Sequence, residues 1–196
     1  SPMSRGLGDV YKRQAFYWAL KTGKSGVKQN PIFYVSNSPW NLYDLLAEFM
    51  DINHIPKGPI LLRDFGRHKG AELTEYQNHK RNEVVHILKT YPNMKFILIG
   101  DSGEKDAAIY LKIAQEFPRR ILAIYIRSVN DEKRDKRVKK LAKKYKDVSF
   151  VLIKDSLEAA KHAAENDWIS KENLAKVHQS MYCLLYTSPS PRDIGE

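Results

Sequence analysis

Two aspartates at a short spacing are the residues of this sequence best suited to chemistry. Asp101 directly follows an apolar run, Phe96–Gly100, and Asp106 opens the amphipathic stretch that comes next. A carboxylate at the tip of a buried strand and another at the start of the next helix lie within reach of one hard cation, and Mg²⁺ prefers oxygen ligands. The pair therefore predicts a metal site. The structural alternative makes Asp101 a helix N-cap and Asp106 an acid favoured by the helix dipole.

Other polar residues suit a phosphate group. Ser36 and Asn37 come at the end of the apolar run that starts at Pro31, and Lys80 is predicted at the start of a helix. A cation is unfavourable at a helix start unless an anion binds there. Hydroxyl and amide groups hold phosphate oxygens and a lysine neutralises their charge, so this set favours phosphoryl transfer. The alternatives are a turn serine at Ser36 and a solvated surface lysine at Lys80.

Alternating elements must position these residues. Short apolar runs that predict buried strands alternate with amphipathic stretches that predict helices. The predicted strands are Pro31–Ser36, Gly58–Leu62, Phe96–Gly100, Ile121–Ile126 and Val148–Ile153. The predicted helices lie around Phe16–Leu20 and over Lys80–Tyr91, Glu104–Phe117, Asp131–Lys146 and Ser156–Asn166. A further helix is predicted after Ser38, its N-cap, and Pro39, with the apolar stripe Leu42, Leu45, Leu46 and Phe49. The segment Arg63–Gln77 is predicted as a loop. This alternation predicts an α/β fold with a parallel sheet covered by helices on both faces, and ligands bind such a sheet at the carboxyl ends of its strands.

The composition points to an anionic partner. The 196 residues hold 33 Lys and Arg against 23 Asp and Glu, a net charge of +10. The helix predicted at Asp131–Lys146 carries much of this charge, and Lys133–Lys146 is predicted to contact an anionic membrane surface; a merely solvated helix face is the alternative. No transmembrane segment is expected, because the apolar runs fall far short of the ~20 residues that a membrane span needs. No specific nucleic-acid motif is found. With one cysteine, Cys183, and no signal-peptide pattern, a cytoplasmic location, peripheral at membranes, is expected.

The two ends differ from the middle. Residues 1–14 and 183–196 lack helical or strand periodicity, and both strings resemble translated sequencing adapter. We therefore predict a partial α/β domain at 15–182 between two non-native tails. Natural flexible termini are the alternative.

Several segments together resemble a known family. FYVSNSPWNLYDLL, GPILLRDFG, KFILIGDSGEKDAAIY and RRILAIYIRSV are similar to the catalytic domain of the actin-patch-associated phosphatidate phosphatases, in the haloacid dehalogenase superfamily. The resemblance implies a Rossmann-like fold of that superfamily and a Mg²⁺-dependent phosphatase that converts phosphatidate to diacylglycerol and phosphate through an aspartyl-phosphate. The partner it implies is phosphatidate or another anionic lipid phosphate. The resemblance also implies that Ser36 and Asn37 bind phosphate, that the catalytic Lys80 steadies nucleophile and phosphate, and that Asp101 and Asp106 hold Mg²⁺.

One part of the family pattern is missing. The family begins with an Asp-x-Asp-x-Thr strand that supplies the nucleophile and the general acid, and no segment before Ser36 matches it. We therefore predict that the chain as written does not turn over and that its sheet lacks the central first strand, which leaves the fold unstable or molten. A non-enzymatic basic α/β module that binds anionic lipid or nucleic acid remains the alternative function.

Overall fold

A computed structural model describes residues 13–64, 73–103 and 105–186 of the chain, with the backbone alone at 73–77 and 183–186. Most of both predicted tails, 1–12 and 187–196, lies outside the described residues, as do Glu104 and part of the predicted loop, 65–72. The described residues divide into two compact units. One unit comprises the described residues within 33–46 and 59–154, and the other comprises those within 13–32, 47–58 and 155–186.

The larger unit is a mixed α/β structure with parallel strands, which confirms the predicted fold class. Strands β1 (Tyr34–Pro39) and β2 (Ile60–Arg63) pair in parallel, and a second parallel sheet has the order β3 (Phe96–Asp101), β4 (Ile121–Arg127) and β5 (Ser149–Ile153). No described strand joins β1 to β3, so the parallel strands form two separate sheets, as expected of a sheet without its central first strand. The two strands nevertheless share a core, because Val35 of β1 packs against the buried cluster that includes Leu98 of β3.

Three helices of this unit alternate along the chain with the strands of the three-stranded sheet. They are α3 (Leu73–Thr90), α4 (Asp106–Glu116) and α5 (Glu132–Lys144). Ile124 and Ile126 of β4 are fully buried in a cluster that includes Leu88 of α3 and Val138 of α5. Four consecutive residues of β4, Ala123 to Ile126, are buried, and because their side chains alternate between the faces of the sheet, both faces are covered, as expected for a nearly continuous apolar run.

A side chain from outside α3 secures the end of that helix. Arg120 donates from Nη2 to the Leu88 and Tyr91 carbonyls, at 3.0 and 2.8 Å, and from Nε to the Met94 carbonyl at 2.9 Å. The last carbonyls of a helix have no partner within the helix, so a cation that binds them satisfies the backbone and favours the helix dipole.

We expect Arg120→Met to lower the free energy of unfolding by about 1.5–3 kcal/mol, since it removes charge-assisted hydrogen bonds to three carbonyls. The neighbouring Arg119→Met is the matched control, because Arg119 is exposed. Urea denaturation of both variants measures the difference. Equal losses would show that the carbonyl bonds do not stabilise the end of α3.

The smaller unit is helical. It contains α1 (described over 13–22), residues 47–52 of α2 (Tyr43–Ile52), α6 (Ser156–Glu165) and α7 (Lys171–Tyr186). The Asp155 carboxylate caps α6 by accepting from Leu157 N and Glu158 N. Asn173 Nδ2 of α7 donates to Thr22 Oγ1 at 2.7 Å, which ties the end of α1 to α7.

Several predicted boundaries were wrong. Strand β1 continues through Pro39, which pairs with Arg63, so Ser38 is no N-cap and a short 3₁₀ helix at Trp40–Leu42 precedes α2. The helix predicted from Lys80 begins at Leu73, inside the predicted loop. The helix α7 was not predicted. Helix α2 buries no residue, and its predicted core residues Leu45 and Phe49 are 62% and 45% exposed.

Within the described residues, no helix combines the length and the apolar character that crossing a bilayer requires.

Candidate functional site

A buried ion pair joins two of the predicted site residues. Lys80 Nζ lies 2.5 Å from Asp106 Oδ1, and the two side chains are only 9% and 4% exposed. Lys80 lies within α3 rather than at its start, and Asp106 is the first residue of α4. The alternative interpretation of Lys80 as a solvated surface lysine is therefore wrong. Buried charges of this kind are held only when each has a partner.

The second carboxylate oxygen of Asp106 faces the end of β3. Asp106 Oδ2 accepts a hydrogen bond from the Asp101 backbone N at 3.2 Å. This approach needs glycine at position 100, because a Cβ built on Gly100 would fall 2.6 Å from the Asp106 Cβ. The Gly-Asp pair before Asp106 thus has a steric reason: the glycine makes room for the carboxylate that holds Lys80.

The loop after β3 positions Asp101. Asp101 Oδ1 accepts from Gly103 N at 2.8 Å, and Arg134 Nη1 of α5 donates to the Gly103 carbonyl at 2.8 Å. Ser102 is buried; its backbone N donates to the Arg127 carbonyl at 2.8 Å and its Oγ accepts from Val129 N at 3.0 Å. The carboxylate is therefore presented by a loop that is bonded to β4 and α5.

Sequence reasoning missed Ser102 and Arg134. Ser102 stands inside the most specific segment, GDSGEKD, which was a signal that it takes part. Nothing in the spacing connects Arg134 to Gly103, because the contact depends on how α5 packs.

The Ser36 side chain of β1 bonds within its own strand rather than to this pair. The Ser36 hydroxyl donates to Ser38 Oγ at 3.0 Å and accepts from Ser38 N at 3.1 Å. Asn37 is exposed. The structure therefore joins Lys80, Asp101 and Asp106, and it shows no hydrogen bond from Ser36 to any of them.

The donor set can be tested against the predicted Mg²⁺. The described residues contain no group of three or more His, Cys, Asp or Glu side chains around one point. Mg²⁺ commonly keeps several waters and is held by one or two carboxylates, so the Asp101 carboxylate at the strand tip fits. Asp106 already binds Lys80 and the Asp101 amide, so it fits better as the residue that orients the lysine. Both metal assignments stay predictions.

Comparison with known proteins places the chain in a family. The family model described as "Phosphatidate phosphatase APP1, catalytic domain" matches residues 7–128. This match covers more than half of the chain, and the chain belongs to this family.

Two relatives share its sequence over about half of the chain. One is the phosphatidate phosphatase APP1 of Saccharomyces cerevisiae, which is 43% identical over 104 residues, 53% of this chain and 18% of the yeast protein. The other is an uncharacterised protein of Schizosaccharomyces pombe, 36% identical over 99 residues, 50% of this chain and 16% of that protein. The matched region thus spans less than a fifth of either relative. No solved structure matches the chain significantly.

Proposed function

We propose that this chain supplies the Lys80 and Asp101–Asp106 part of a Mg²⁺-dependent phosphatase site that releases phosphate from phosphatidate and leaves diacylglycerol. The observation that carries the proposal is the buried Lys80–Asp106 pair, bonded to the backbone of Asp101 at the carboxyl end of β3. The yeast relative, a phosphatidate phosphatase by name, supports the substrate.

Each residue has a distinct task in this proposal. Lys80, held by Asp106, neutralises charge that develops on the transferred phosphoryl group, and such preorganised charge is a large source of rate enhancement. Asp101 holds Mg²⁺, which when bound supplies Lewis-acid polarisation of a phosphoryl oxygen. Ser36 and Asn37 donate to the phosphate oxygens. Because the Ser36 hydroxyl bonds Ser38, it must exchange that partner for the phosphate.

The nucleophile must come from elsewhere. The 196 residues contain no Asp-x-Asp pair at any position, so an aspartyl-phosphate pathway needs a strand that this sequence does not hold. The chain alone is accordingly proposed to be inactive.

A peripheral, cytoplasmic association with anionic membranes is part of the same proposal. Of the residues in α5, only Val138 is buried, and all of its Lys and Arg side chains are exposed. Each cation near an anionic surface contributes about 1 kcal/mol of attraction. If no phosphatidate hydrolysis were found, the same positive charge would favour the alternative function, a non-enzymatic basic module that binds anionic lipid or nucleic acid.

A fusion that adds an Asp-x-Asp-x-Thr strand ahead of Ala15 tests the proposal. We expect no Mg²⁺-dependent phosphate release from phosphatidate by the parent chain and measurable release by the fusion. In the fusion, Asp101→Asn should lower the rate on the order of a hundredfold, since a positioned charge is lost from the site.

Asp147→Asn is the matched control, because it makes the same charge change at an exposed position. A folded fusion that releases no phosphate would overturn the phosphatase proposal. Equal rates for the Asp101 and Asp147 variants would remove Asp101 from the metal site.

A further inference from the structure

A cationic cleft lies between α4 and α5, and Asn78 and Arg81 of α3 also line it. Its volume is about 320 Å³, within the range of small-molecule sites. Lys105, Ala108, Ile109 and Lys112 line one wall, and Arg134, Arg137, Val138 and Leu141 line the other. These positions recur at three- and four-residue intervals, so each wall is a single helix face.

Among the described residues that line the cleft, all the formal charge is positive. Five of them are Lys or Arg, and none is Asp or Glu. Two of the cations have acidic partners, since Arg81 pairs with Glu116 and Arg134 with Asp131. Among the described residues, Lys105, Lys112 and Arg137 form no ion pair. Like charges brought together around a concave surface raise its affinity for an anion.

The floor of the cleft is apolar. Val138 and Ala107 are buried and Leu141 and Ile109 are half-buried, so the deeper part of the lining is apolar and forms this floor. An apolar floor beneath a cationic rim suits a ligand with both an anionic group and hydrocarbon. An inorganic ion or a sugar phosphate would leave this apolar surface exposed to water.

We propose that this cleft is a second lipid-binding site, which takes the phosphate group of an anionic lipid on Lys105, Lys112 and Arg137 and the adjoining part of its chains on the apolar floor. Neither Lys80, Asp101 nor Asp106 lines the cleft, so it is distinct from the proposed catalytic site. The inference rests on the charge and shape of the cleft and does not depend on hydrolysis.

The cleft also touches the loop that presents Asp101. Ser102 lines it, and Arg134, which lines it too, donates to the Gly103 carbonyl. A bound lipid therefore contacts the residues that fix the loop after β3, and its binding stabilises the position of Asp101.

Titration of the ¹⁵N-labelled chain with dihexanoyl phosphatidate, kept below its micelle concentration, tests the site without a membrane surface. We expect saturable amide shifts at Lys105, Ala108, Lys112 and Val138. Glycerol 3-phosphate should bind about tenfold more weakly because it has no chains, and dihexanoyl phosphatidylcholine should not bind because its head group has no net charge.

Two pairs of substitutions separate the cleft from general charge. Lys112→Gln with Arg137→Gln should weaken binding by about tenfold or more, because two charged hydrogen-bond donors are lost. Lys136→Gln with Lys140→Gln removes the same charge from exposed α5 positions outside the cleft, and should change binding less than about twofold. Ala108→Trp, which fills the cleft and keeps the charge, should abolish binding.

Specific outcomes would overturn the proposal. Equal losses in the two charge variants would show that net charge alone attracts the lipid. Equal affinity for glycerol 3-phosphate would make the ligand a soluble phosphate. Binding of an RNA oligonucleotide with the same dependence on Lys112 and Arg137, without binding of the lipid, would replace the lipid by a nucleic acid. The amide spectra of each variant report whether it is folded.

Discussion

Lys80→Met is expected to lower the free energy of unfolding by about 3–5 kcal/mol, because it leaves the Asp106 carboxylate buried without its cation. The side chain of Asp106 is 4% exposed, so water cannot replace the lysine. Denaturation in urea, followed by circular dichroism, measures the loss. A cooperative transition of the parent chain is the baseline, and observing one would also overturn the expectation that the chain is molten.

The neighbouring residue provides a matched control. Arg81 pairs with Glu116 at 2.5 Å between the same two helices, but its side chain is 33% exposed and that of Glu116 is 44% exposed. Arg81→Met should therefore cost about 1 kcal/mol or less. If Lys80→Met lowers the free energy of unfolding no more than Arg81→Met does, then burial does not make the Lys80–Asp106 pair more important for stability than the exposed pair.

A second variant separates charge from packing. Asp106→Asn keeps an oxygen for the Asp101 amide and removes the negative charge. In the Lys80→Met background it should recover about half of the lost stability, since breaking a buried pair costs mainly through the charge left behind. No recovery would show that the loss comes from the missing lysine side chain itself.

The order of the elements was predictable because strand and helix leave different periods in a sequence. The runs around Ile97, Ile124 and Val151 are apolar throughout, and each is a strand of the parallel sheet. Residues 73–77 were predicted as loop because they carry few apolar residues, yet their backbone continues α3. A polar segment can still be helical when it continues a helix whose other turns pack against the core, so polar composition alone does not predict a loop reliably.

Periodicity indicates that a helix has an apolar face, but it does not say that another element covers the face. Leu45 and Phe49 show this, since both are in phase and both are exposed. Strand β1 shows a related limit. Ser38-Pro39 is a good helix start on local grounds, but pairing with β2 extends the backbone through Pro39. At Ser38-Pro39 the tertiary contact outweighs the local preference.

The site was partly predictable for the same reason. Asp101 and Asp106 are close in sequence, so a strand followed by a helix brings them together at any packing. Lys80 precedes Asp106 by 26 residues, and its contact depends on how α3 lies against α4. The sequence could suggest a functional lysine, but it could not indicate that Asp106 is the residue that holds it.

Gly100→Ala should destabilise the chain by about 1–3 kcal/mol, the usual effect of overpacking. The added Cβ would lie 2.6 Å from the Asp106 Cβ and 2.8 Å from its Cγ, closer than nonbonded carbons approach. Asp106 cannot easily move away, because one of its oxygens binds Lys80 and the other binds the Asp101 amide. The substitution should therefore also loosen the ion pair, and urea denaturation measures the sum of both effects.

A double-mutant cycle identifies the group that clashes. Asp106→Gly removes both the Cβ and the carboxylate, so Gly100→Ala should cost less than about 0.5 kcal/mol in that background. The coupling energy then measures the steric contact between positions 100 and 106 together with the loosening of the ion pair that this contact causes, whatever Asp106→Gly costs by itself. An equal cost of Gly100→Ala in both backgrounds would mean that the strand, and not the carboxylate that orients Lys80, requires the glycine.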